Sequence, residues 1–167
     1  MNEQDTLQQA LEIMAHVTPL RRDCGRLCER CCCKGDGNTG MLLFAGEAER
    51  YRDSPDFTVH ERDELRYVVC GGSCARAERP LSCRLYPMFP LLTEQDGRES
   101  LRVIFDPRGV KSCPIIYAQI RPRRAFYEAV QRCGQLLRRN AAQHQVLKEA
   151  SAQIQDILNL HALLQTH

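Results

Sequence analysis

Ten cysteines in 167 residues carry the chemistry of this chain. Cys24, Cys28, Cys31, Cys32 and Cys33 form one group; Cys70, Cys74, Cys83, Cys113 and Cys133 follow singly or in pairs. Three consecutive thiols are a poor packing choice, because neighbouring side chains on a regular element point in different directions. Thiols crowded in this way have a common electrophile to bind: a metal ion, a cluster or another sulfur. Compartment decides which. The first residues, Met1 to Thr6, lack the basic start, apolar run and small-residue cleavage site of a secretory signal. No stretch approaches the ~18 apolar residues of a membrane span. The expectation is a cytoplasmic chain with no membrane partner. There, reducing conditions favour metal or redox chemistry over structural disulfides.

Spacing narrows the choice. On a helix advancing about 100° per residue, Cys24, Cys28, Cys31 and Cys32 share one face and Cys33 points away. Gly25 weakens the helical premise, since the alternative is a loop wrapped around its metal. Cys70-Gly71-Gly72-Ser73-Cys74 places two glycines between thiols, so the backbone bends tightly and presents N–H groups to sulfur. Pro114 rigidifies the chain after Cys113. Four thiolates around zinc or an oxidised cubane leave a charge of about −2 that needs a nearby cation. Arg79 and Arg84, flanking Cys83, are the candidates. Cys133 lies in an apolar helical stripe and reads as a small core residue. The Cys24-x3-Cys28-x2-Cys31 spacing also occurs in radical S-adenosylmethionine enzymes. Those need a barrel of strand–helix repeats that this chain does not show. An ordinary zinc finger needs two paired spacings, and only Cys28-x2-Cys31 supplies one.

The elements that must position these thiols are legible in part. Leu7, Leu11, Met14 and Val17 predict a helix over 3–17, stopped by Pro19. Residues 34–40 read as a turn-rich loop without the Gly-Lys-Ser/Thr ending of a phosphate loop. Met41 to Phe44 and Leu65 to Val69 predict short strands, and Gly46 to Asp53 has helical character. Asp96-Gly97 predicts a hairpin joining Met88–Leu92 to Leu101–Phe105. Phe126, Val130, Cys133 and Leu137 mark one C-terminal helix, Gln143 to Leu164 a second, and Asn140 the break between them. The fold class expected is α+β: a small irregular sheet and Cys-rich loops packed with helices, ending in a C-terminal helical hairpin. It forms one domain over 1–167, with a metal-binding core over 20–118 and a helical extension over 122–167.

Hydrophobic residues make up 43% and net charge is +2. The arginines at 121, 123, 124, 132, 138 and 139 accompany no nucleic-acid motif and read as a solvated helix face, so a nucleic-acid partner is not expected. His16, His60, His144, His161 and His167 are scattered and lack ligand spacing.

With these pieces assembled, the chain resembles the YkgJ-like cysteine-cluster family, also described as the CxxCxxCC zinc- or iron-chelating domain. The likeness covers roughly residues 20–118. It rests on Cys24, Cys28, Cys31 and Cys32, the Gly-rich turn and apolar run leading to Glu47, Cys74, and Cys113-Pro114. The Arg79-Pro80-Leu81-Ser82-Cys83-Arg84-Leu85-Tyr86-Pro87 segment is the most specific part. The resemblance implies eight metal-binding cysteines: Cys24, Cys28, Cys31, Cys32, Cys70, Cys74, Cys83 and Cys113. The first gap holds three residues where the family name implies two, which leaves the register of the triple open, with Cys33 an alternative to Cys31 or Cys32. The function expected is a thiolate-held zinc or iron–sulfur cluster in an accessory or redox role. A related domain in flagellin lysine N-methylases suggests one alternative by analogy, a metal-dependent enzyme of protein modification; in an enzyme reading, an open metal position or a free thiolate does the chemistry and Glu47, Tyr86 and Arg84 are the candidate helpers. The other is a zinc-stabilised interaction module whose C-terminal helices meet a protein partner or a second copy.

Overall fold

A computed structural model describes residues 2–34, 40–72 and 74–165 of the chain; most of the expected loop at 34–40 lies outside the described residues. Helix α1 (Glu3–Ile13) buries Leu7, Ala10 and Leu11 on one side. Asn2 opens it by accepting the Asp5 N–H at 2.8 Å, and Asp5 accepts the Asn2 N–H in return, a reciprocal cap. The helix ends at Ile13 rather than Val17. Arg76 explains the early stop: its guanidinium donates to the carbonyls of Met14, Ala15 and Val17 at 3.0, 2.9 and 2.6 Å. A basic side chain thus takes carbonyls that another helical turn would have used.

Strands β1 (Met41–Leu43), β2 (Phe57–Arg62) and β3 (Leu65–Cys70) form an antiparallel sheet in the order β1-β3-β2. Its register sets Leu42 opposite Tyr67 and Phe57 opposite Cys70. The sequence reading missed β2. Its hairpin to β3 turns through Asp63 and Glu64, both at positive φ (51° and 63°) with no glycine to announce it. A short helix, α3 (Leu81–Leu85), follows the sheet; the four-residue α2 (Cys31–Lys34) and α4 (Pro114–Tyr117) bracket it in the chain. The second sheet is the expected hairpin, β4 (Met88–Gln95) with β5 (Arg98–Phe105), closed by Asp96 at φ 54° and Gly97 at φ 70°.

Helix α5 (Arg124–Leu137) buries the whole stripe of Phe126, Val130, Cys133 and Leu137 against α1 and the β4–β5 hairpin. Asn140 breaks the chain and caps α6 (Ala141–Gln165) by accepting the Gln143 N–H. In α6, Leu147, Ala150 and Ile154 have no exposed surface. Gln143 fastens the helix start: it accepts the Ala45 N–H and donates to the carbonyls of Ala45 and Glu3, at 2.9–3.0 Å. The two C-terminal helices therefore contribute to the same core as α1 and the hairpin. The architecture is α+β. Among the described residues no helix is long and apolar enough to cross a membrane.

Candidate functional site

The cysteine-rich segment is not one helix. Asp23 accepts the Gly25 N–H and starts a single tight turn over Cys24–Arg26. Glu29 and Arg30 then adopt left-handed φ values of 49° and 59°, costly for residues with a Cβ. Cys31 to Lys34 resume as α2. This break invalidates the single-face geometry expected for Cys24 to Cys32. Cys31 is exposed and lines neither of the two cavities described next, whereas Cys33 turns inward.

The first cavity, about 60 Å³, is lined by Cys32, Cys33, Cys70, Cys74 and Cys83. Cys70 ends β3, Cys74 follows the glycine turn, and Cys83 sits in α3 behind Pro80. The glycine turn does what its sequence suggested: Gly72, at φ 98°, donates its N–H to Cys70 Sγ at 3.3 Å. Cys70 Sγ also lies 3.9 Å from the Cys33 carbonyl oxygen, joining segments 37 residues apart. Phe57, Val68 and Pro80 make the remaining wall apolar.

The second cavity, about 20 Å³, is lined by Cys24, Cys28, Cys32 and Cys113. Cys113 caps the start of α4, with Pro114 at the first helical position. Tyr86 lines both cavities. Its hydroxyl meets the side chains of Ser112 and Cys113. Gly109 makes that seat available, since a Cβ there would collide with the Tyr86 hydroxyl and with Ile116. No local sequence signal announces this tertiary contact.

The electrostatics follow the same division. Burial pushes the Cys83 thiol well up, helped by the negative charge of Cys33, Cys74, Glu47 and Cys70. Cys74 is raised by burial and by Cys70, while a hydrogen bond to Arg79 pulls it back. Cys24 is raised by burial, then by Asp23, Cys113 and Cys28. The Cys32 thiol donates to Cys33; that bond raises Cys32 and, with Arg79 and Arg30 nearby, lowers Cys33 to about 6. Thiolates packed this closely repel one another in a poorly screened site, and a shared cation removes that repulsion.

The two expected charge-balancing arginines part company. Arg79 stays at the first cavity, beside Cys74. Its buried Nε has no hydrogen-bond partner among the described residues. Arg84 does not face the thiols. It is buried and donates to the carbonyls of Arg79, Leu11 and Ala77 at 2.9–3.1 Å. Glu47 is fully buried and accepts the N–H groups of Phe44 and Leu81. Of the three expected catalytic helpers, Arg84 and Glu47 are thus engaged in holding backbone, and only Tyr86 lines the cysteine-bearing cavities. Cys133 is buried in the core, as expected, with its Sγ 3.4 Å from the Ala10 carbonyl. His144 pairs with Glu99 at 2.7 Å, far from ligand duty.

The donor set suits a thiophilic metal: thiols outnumber every other donor in both cavities, and a tetrahedral thiolate zinc needs sulfurs about 3.8 Å apart, from bonds of about 2.3 Å. Among the described residues, no group of three or more His, Cys, Asp or Glu side chains is arranged so that it could hold a metal ion. No family model matches the chain, and no curated protein or solved structure matches it.

Proposed function

We propose that this chain is a cytoplasmic metal-binding protein in which clustered cysteine thiolates hold zinc or an iron–sulfur cluster, in an accessory or redox role. One observation carries the reading: eight thiols from distant parts of the chain line two adjoining cavities and interact through their charges. Small buried hydrophobes would not need to converge like this. Cys133 is what such a residue looks like, alone in an apolar stripe. The unpartnered Arg79 Nε beside Cys74 supports an anionic thiolate group at the first cavity, and the Gly72 N–H to Cys70 Sγ bond is of the kind that tunes a metal-bound thiolate. Bound zinc would supply a closed structural staple, which a core with few aromatics needs; a cluster would supply electron transfer or sensing.

The test is anaerobic purification followed by metal and acid-labile sulfide analysis and an absorption spectrum. Stoichiometric zinc in colourless protein selects zinc; brown protein with iron and sulfide selects a cluster. Protein that binds neither under anaerobic reconstitution, or whose thiols are paired as disulfides inside cells, would sink the reading.

A further inference from the structure

We infer that the eight thiols form two separate four-thiolate centres, Cys33, Cys70, Cys74 and Cys83 on one side and Cys24, Cys28, Cys32 and Cys113 on the other. Tyr86 is the wall between them, and Cys31 belongs to neither. This rests on the metal-binding reading and deepens it.

The two cavities supply the division. Cys33, Cys70, Cys74 and Cys83 line the first alone, Cys24, Cys28 and Cys113 line the second alone, and Cys32 lines both. Assigning Cys32 to the second side completes both sets of four. The left-handed pair Glu29 and Arg30 makes the division feasible, because it re-aims the triple so that Cys33 lines the first cavity alone, Cys32 reaches the second as well, and Cys31 lines neither. Arg79 lines the first cavity only, where it bonds to Cys74.

Cobalt(II), whose thiolate charge-transfer and visible bands report four-sulfur coordination, is the probe. Anaerobic titration of the full-length chain should reach two cobalt ions per chain. Cys74→Ser and Cys28→Ser should each halve that number, and the double variant should abolish it. Cys33→Ser should halve it while Cys31→Ser leaves it at two. If a variant at Cys74 or Cys28 fails to fold, Cys70→Ser or Cys113→Ser asks the same question of the same side. One ion per chain in the unmodified protein, or Cys31→Ser costing an ion while Cys33→Ser costs none, overturns the division and leaves the metal-binding reading standing. No cobalt bound at all overturns both.

Discussion

Glu47 ties together two segments 34 residues apart: Oε1 accepts the Leu81 N–H at 2.7 Å while Oε2 accepts the Phe44 N–H at 3.0 Å. The carboxyl thereby fixes the start of α3, and with it Cys83, against the end of β1. Burial pushes its pKa up to about 7 from the ordinary 4.5, against the pull of both N–H donors, Arg50 and Arg84. A carboxyl raised on folding binds its proton more tightly in the native chain. Its contribution is therefore fully present below pH 4.5 and is lost as pH rises through about 7. The loss is about 3 kcal/mol across that window. Urea unfolding of the metal-free protein from pH 4.5 to 7.5 measures it. Glu47→Gln should lack this decline; parallel slopes in the two proteins would assign the titration to another group.

Arg84 and Arg79 should separate fold from ligand binding. Arg84→Ala strands three backbone carbonyls and should lower the stability of the metal-free chain by about 2–4 kcal/mol. Arg79→Ala should change that stability by less than about 1 kcal/mol. It should nevertheless weaken the tighter cobalt or zinc affinity about tenfold, or about 1.4 kcal/mol. Denaturant midpoints and competition titrations read the two effects independently.

Gly134 offers a test of sign. In an exposed helix interior, Gly→Ala gains about 1 kcal/mol. Here a Cβ would sit 2.6 Å from Pro90 Cβ and 2.9 Å from Leu101 Cδ1, between α5 and the hairpin. Overpacking of this kind costs about 1–3 kcal/mol, so Gly134→Ala should lower the thermal midpoint. A raised midpoint would mean that α5 does not lie this close to β4 and β5.

Truncation should show where the core stops. A chain ending at Leu158 loses, of the large hydrophobic residues, the exposed Leu160, Leu163 and Leu164, and should keep its circular dichroism and cooperative unfolding. One ending at Asn140 also loses Leu147, Ala150 and Ile154, all completely buried, and should not fold. Light scattering of the first truncation against the full chain also tests the C-terminal helices as a self-association surface: a dimer that becomes a monomer supports it.

What the sequence revealed was governed by local physics. The α1 stripe, the Asp96-Gly97 hairpin and the α5 stripe with Cys133 inside it are all periodicity or turn chemistry, and all were legible. Strand β2 was not, because Asp63 and Glu64 hold left-handed conformations without a glycine. The same blindness misplaced Cys33: a uniform helical wheel cannot anticipate that Glu29 and Arg30 break the helix between Cys28 and Cys31. Gly25 was the only hint of a wrapped loop. Arg84 was misjudged because proximity in sequence to Cys83 does not fix direction; the carbonyls of Leu11, Ala77 and Arg79 draw it away. Tyr86 stands where it does by long-range packing against Gly109.

Because Cys32 and Cys33 are covalent neighbours, one planar peptide of about 3.8 Å between α-carbons joins a residue shared by both chambers to one that lines the first alone. That spacing is indifferent to repacking of the core or breathing of the helices. A single residue inserted at this point would push both chambers out of register at once, whereas insertions in the exposed hairpin tips would disturb neither.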